Sequence, residues 1–63
     1  MRVLIKRNGI IENLIEVAGV PEANEIFSPQ RGYENLPADD LPGVSVGFIE
    51  NEDGTYSAPP EGN

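Results

Sequence analysis

The sequence predicts a small all-β fold: two β-hairpins form one antiparallel sheet and are joined by a long, proline-containing irregular arm. The turn dipeptides Asn8-Gly9 and Asp53-Gly54 each separate β-prone runs, and Ile and Val dominate the first of these regions. Four prolines interrupt the chain between positions 20 and 43. We divide the 63 residues, as one domain, into a hairpin at 2–17, an arm at 18–43, a hairpin at 44–58 and a polar tail at 59–63.

The first hairpin turns at Asn8-Gly9, where both residues readily adopt positive φ. A two-residue turn pairs Arg7 with Ile10 and leaves both faces of mixed character. A three-residue loop pairs Lys6 with Ile10, and we favour it because it sorts apolar from charged residues. Its apolar face holds Val3, Ile5, Ile11, Ile15 and Val17, with Asn13 among them. Its other face holds Arg2, Lys6, Glu12 and Glu16, where opposite charges approach across strands, together with Leu4, Ile10 and Leu14.

The arm at 18–43 shows no sustained periodicity, and its prolines exclude central strands and helix interiors. We predict at most one short helical turn there, over 22–27, with Pro21 at its first position. Ile26 and Phe27 would anchor this turn on the first hairpin. An irregular stretch of this length is typical of a functional loop or of a segment that wraps a partner.

The second hairpin is predicted from a β-branched, alternating run at 44–49 that returns through 55–58. Asp53-Gly54 supplies the tight bend between the two strands. In this arrangement Phe48 and Tyr56 become cross-strand neighbours and form a stabilising aromatic pair.

The composition argues against catalysis, because the chain has no Cys and no His. Thiolate nucleophiles, disulfides, the usual structural zinc sites and the commonest general base are therefore absent. Lys6 is the one side chain able to form a Schiff base, and we expect it to be a solvated strand lysine. Asp39-Asp40 is expected to be a solvated turn. We predict that the protein is not an enzyme and has no catalytic residues, no metal and no cofactor.

The charge balance limits the possible partners. The formal net charge is −7, and Arg2, Lys6 and Arg7 supply three of the four basic residues. Such a chain is not expected to bind nucleic acid, which needs a basic surface. An acidic mimic of DNA remains an alternative, although solubility also explains scattered carboxylates. No apolar run approaches the ~20 residues of a membrane span, and the start is not a signal peptide, so we expect no membrane association.

Two arguments predict a protein partner. A chain this small, with no disulfide to staple it, commonly gains stability by association. Apolar groups on both faces of the first hairpin also call for cover on both faces. The candidate interface residues are Leu4, Ile10, Leu14, Ile26 and Phe27, and the alternative is that these residues simply form the core.

Two stretches of the sequence together match a known pattern. In residues 5–15, Asn8-Gly9 is followed by apolar residues and by Asn13 before a second apolar pair. In residues 46–59, Gly47-Phe48 is followed by a Gly turn, Tyr56 and Pro59. These features resemble a family of small proteins and modules encoded in the tail regions of tailed phages and prophages. The family usually has Trp where Phe48 stands, and often Trp or Asp where Val17 and Ala18 stand.

The resemblance implies a non-enzymatic virion structural protein, a small adaptor associated with the tail, baseplate or fibres. Contacts with larger phage structural proteins would stabilise it. The expected arrangements include several copies of the chain in a symmetric assembly. It would be synthesised in the cytoplasm of the bacterial host and located in the virion tail. Two alternatives remain open: a phage-encoded acidic inhibitor or regulator of a host protein, and a tail-fibre assembly chaperone.

Overall fold

The computed structural model describes residues 1–60 as a five-stranded antiparallel sheet with one α-helix and two single turns of 3₁₀-helix. The predicted all-β class is confirmed. The sheet order is β3-β1-β2-β4-β5. The strands are β1 (Arg2–Arg7), β2 (Ile10–Glu16), β3 (Tyr33–Pro37), β4 (Ile49–Glu50) and β5 (Tyr56–Ser57). The helix α1 spans Val20–Ile26, and the 3₁₀ turns span Pro29–Arg31 and Ala38–Asp40.

The β1–β2 hairpin closes through a two-residue turn, so the predicted three-residue loop is wrong. Asn8 and Gly9 have φ values of 56° and 77°, and Arg7 pairs with Ile10. Turns with two positive φ values match the twist of the flanking strands, which favours this geometry. The register then shifts by one residue beside Ile5, as in a β-bulge. Because β2 has one extra residue there, its residues beyond the bulge lie on the faces that the longer loop was expected to give them.

One face of the sheet, which we call the helix-side face, packs against α1. Val3, Ile5 and Ala23 are its fully buried residues. Partly buried apolar residues surround them, namely Ile15, Val17, Val20, Phe27 and Tyr33. Pro lies in the first turn of α1, as predicted, but the helix begins at Val20 and makes about two turns.

The opposite face, which we call the lysine-side face, carries Leu4 and Lys6. Leu4 lies opposite Leu14 on β2 and Leu36 on β3, and its side chain is fully buried. Ile11 is also fully buried and pairs with Lys6, so it lies on this face and not on the apolar face predicted for it. The chain itself therefore covers both faces at these positions, and the expectation that a partner must cover Leu4 is wrong.

Later parts of the chain lie against the first hairpin. The 3₁₀ turn at Ala38–Asp40 contacts β1. Further on, the Ile11 N–H donates to the Phe48 carbonyl at 2.9 Å, and the Gly47 N–H donates to the Ile11 carbonyl at 2.8 Å. These two hydrogen bonds attach the segment before β4 to the edge of β2.

The arm at 18–43 is more regular than predicted, because it contains α1 and the edge strand β3. Pro37 ends β3 opposite Val3 on β1. A proline is tolerated there because an edge strand leaves part of its backbone unpaired. The second hairpin is correspondingly shorter than predicted: residues 44–48 form no strand and turn at 46–47, where Gly47 has a φ of 95°.

Candidate functional site

Lys6 is the most densely connected polar side chain of the described residues, and the expectation that it is solvated is wrong. Its side chain is only 9% exposed. The ammonium Nζ lies 2.9 Å from Glu50 Oε1, 3.1 Å from Glu34 Oε1 and 3.0 Å from the Tyr56 hydroxyl oxygen. One side chain on β1 is thus joined to β3 by an ion pair and to β4 and β5 by hydrogen bonds.

The environment of Lys6 keeps it charged. Burial alone would lower the pKa of the ammonium, but hydrogen bonds to Tyr56, Glu50 and Glu34 outweigh burial and raise the pKa above its ordinary value of 10.5. A protonated amine has no lone pair with which to attack a carbonyl. Lys6 is therefore suited to hold the later strands against the first hairpin and not to form a Schiff base.

A second series of side-chain contacts, which begins at Arg7, lies on the helix-side face. Arg7 Nε donates to Glu12 Oε2 at 3.3 Å, and the Arg7 guanidinium carbon lies 4.8 Å from the centre of the Tyr33 ring. Tyr33 in turn meets Phe27 edge to face, with ring centres 5.1 Å apart and planes at 67°. Stacked and edge-to-face contacts of this kind fix ring orientation, so they lock β1, β3 and the end of α1 together.

The five predicted interface residues do not form one surface. Leu4 is buried on the lysine-side face, which corrects its assignment to an interface. Phe27 packs into the core of the helix-side face, and Leu14 is half-buried. Ile10 and Ile26 remain exposed, at 42% and 56%. Only these last two have the exposure that an anchor for a partner requires.

Ile10 gains a neighbour that the sequence did not indicate as a binding residue. It lies directly opposite Ile49 on β4, and Ile49 is 39% exposed. Backbone hydrogen bonds flank this pair, from the Ile11 N–H to Phe48 and from the Glu50 N–H to Gly9. The pair itself is thus non-hydrogen-bonded, the kind whose Cα atoms approach to about 4.5 Å and whose side chains lie closest. No sequence signal identified Ile49, because its strand partner is distant in the chain.

The predicted turn at Asp53-Gly54 is present. The Asp53 carboxylate accepts hydrogen bonds from the Thr55 hydroxyl at 2.7 Å and from the Thr55 N–H at 3.0 Å. Both bonds favour the charged carboxylate and lower the pKa of Asp53. Gly54 follows with a φ of 89°, as the bend requires.

The predicted aromatic neighbours are arranged differently. Tyr56 lies opposite Glu50 instead of Phe48, and its hydroxyl faces Lys6. The ring-to-ring contact within residues 1–60 is the one between Phe27 and Tyr33. In the predicted tail, Pro59 lies close to Gly47, while positions 61–63 fall outside the described residues.

No protein-family model, curated protein or solved structure matches this chain. Among the described residues, the one helix is too short to cross a bilayer, and no three acidic side chains converge to hold a metal ion.

Proposed function

We propose that this chain is a non-enzymatic structural protein of a tailed-phage tail that binds a larger protein through a surface centred on Ile10 and Ile49. The observation that carries the proposal is this exposed cross-strand pair. Single exposed apolar side chains are ordinary, but two β-branched residues held side by side across paired strands form a preorganised apolar contact. The sequence resemblance supplies the setting in a phage tail.

The pair is small, and the charge of the chain argues against a second copy as its partner. The two residues, exposed to 42% and 39%, supply only a small part of the ~800 Å² that each partner of a stable interface buries. The pair would therefore be the centre of a wider contact, in the position where interface anchors concentrate. Two copies, each with a formal charge of −7, would also repel one another.

The proposed location in a phage tail is tested by mass spectrometry of purified and washed tailed particles from a strain that encodes the chain. A structural component is expected at a fixed stoichiometry relative to the tail proteins. Absence from washed particles combined with presence in assembling lysates would replace the proposal with an assembly chaperone. Absence from both, with the free chain bound to a host protein, would replace it with the inhibitor alternative.

The surface is tested by substitution in the same particles. The double variant Ile10→Thr with Ile49→Thr keeps β-branched side chains but removes apolar area, so the sheet is expected to persist while incorporation falls. Ile26→Thr is the matched control, because Ile26 is equally apolar and even more exposed but lies on α1. Equal incorporation of both variants would contradict the assigned surface.

A further inference from the structure

The outer edge of β2 is covered at one end only. β4 pairs with β2 at Ile10, and the segment just before β4 bonds to the backbone of Ile11. Among the described residues, no later residue of β2 bonds to either. At the other end, Met1 and Val17 exchange both backbone hydrogen bonds, at 2.8 Å and 2.9 Å. Bonding alternates along an antiparallel pair, so the residues at 13 and 15 bond toward β1. Leu14 and Glu16 consequently direct their backbone groups away from β1, toward the outer edge.

These outward groups have no strand beside them. Within residues 1–60, no other backbone group bonds to the Leu14 carbonyl or to the N–H and carbonyl of Glu16. The outward Leu14 N–H is bonded instead by the neighbouring Asn13 side chain, whose Oδ1 lies 2.8 Å away. A side chain that caps an edge donor in this way protects an edge from indiscriminate pairing, and it can be displaced.

We infer that a basic, extended segment of the partner protein adds to the sheet as a strand beside Leu14 and Glu16, in line with β4. Strand addition draws its affinity from main-chain hydrogen bonds and its specificity from alternate side chains. The inference rests on the proposed function in requiring a protein partner, and it specifies the chemistry of that partner. It uses a different part of β2 from the Ile10 contact.

The charges at this edge favour a basic segment. Glu16 is exposed and lies opposite Arg2 on β1, but no ion pair involves it within residues 1–60. The residue of an added strand that lies opposite Glu16 would share its face, where a Lys or Arg is favourable and an acidic residue is not. Half-buried Leu14 and Ile15 offer apolar neighbours on the two faces of the sheet. A formal charge of −7 over the whole chain attracts the same kind of segment.

The experiment titrates the full, isotopically labelled chain with a synthetic seven-residue peptide of alternating lysine and valine. We expect saturable shifts and slowed hydrogen exchange at the amides of Leu14 and Glu16. Two control peptides separate strand addition from general attraction between opposite charges. One replaces lysine by glutamate, and the other keeps lysine but carries methyl groups on all internal amide nitrogens. Absence of binding, equal binding of the methylated peptide, or changes centred on another surface would each overturn the inference.

Two variants sharpen the test. Asn13→Ala frees the Leu14 N–H from its local cap, so we expect the peptide to bind about threefold to tenfold more tightly. Glu16→Pro removes an outward N–H that makes no bond to β1, and we expect at least tenfold weaker binding. If circular dichroism shows that Glu16→Pro perturbs the fold, the tighter peptide binding expected for Asn13→Ala decides the test alone. Unchanged or weaker binding by Asn13→Ala would overturn the inference.

The same variants separate this inference from the proposed function. If particles incorporate the Glu16→Pro variant as efficiently as the unchanged chain, the proposed function stands and the edge site is overturned. Peptide binding at the edge by a chain that is absent from particles would retain the edge site and overturn the phage-tail setting.

Discussion

Leu4→Ala separates the two roles considered for Leu4, interface and core. Leu4 lies on the inner strand β1 between Leu14 and Leu36, and no part of its side chain is exposed. Truncating a leucine buried to this degree costs about 3–5 kcal/mol, from lost apolar transfer and from the cavity that remains. A domain of this size has a free energy of unfolding of roughly 3–9 kcal/mol. We therefore expect Leu4→Ala to lose a third or more of the total stability.

The assay is urea denaturation followed by far-ultraviolet circular dichroism, since the chain has no Trp. Ile26→Ala is the control: Ile26 is 56% exposed on α1, and Ala is a good helix former, so the change should stay within about 0.5 kcal/mol. If Leu4→Ala lacks a folded baseline, Leu4→Val removes a single methylene and should cost about 1 kcal/mol. A loss from Leu4→Ala no larger than that of the control would refute the burial of Leu4 on the lysine-side face.

Two further predictions concern the polar contacts. Lys6→Met should lower the free energy of unfolding by about 1–3 kcal/mol in urea at neutral pH. Because the folded pKa of Lys6 is raised above 10.5, its stabilising effect is complete below the unfolded pKa and is lost as pH rises toward the folded one. The two proteins should thus converge in stability above pH 10.5, and a constant gap would contradict the assigned role of Lys6. Thr55→Val removes a donor to the Asp53 carboxylate, so a carboxyl titration by NMR should find the pKa of Asp53 moving back up toward 3.8. An unchanged midpoint would mean that the Thr55 hydroxyl does not stabilise the charged form.

The sequence was informative where a conformation depends on adjacent residues. Asn8-Gly9 and Asp53-Gly54 both form turns, because positive φ is a property of those residues themselves. Pro21 lies in the first turn of α1 for a similar reason, since its fixed φ suits a helix start. The β-rich composition of the first hairpin likewise predicted its two strands at nearly their observed bounds.

β3 was missed because its signal in the sequence is weak. Residues 33–37 contain one aliphatic side chain, Leu36, and end in Pro37. Such a segment becomes a strand only because the exposed edge of β1 accepts it. The register of the first hairpin was missed because a β-bulge beside Ile5 gives residues 13–16 the same faces as the longer loop would, while Ile10 and Ile11 exchange faces.

The sequence by itself determined the β class, the positions of the turns and the acidic charge, since these follow from composition and from neighbouring residues. Only the tertiary structure decided which apolar residues are buried and which polar ones are paired. Leu4 is buried and Ile10 is exposed on the same hairpin because cover comes from segments far along the chain. The partners of Lys6 at Glu50 and Tyr56 lie 44 and 50 residues away, beyond any local pattern. Burial and pairing depend on what packs against a residue. The two-residue alternation of side chains along a strand indicates only which face of the sheet that residue occupies.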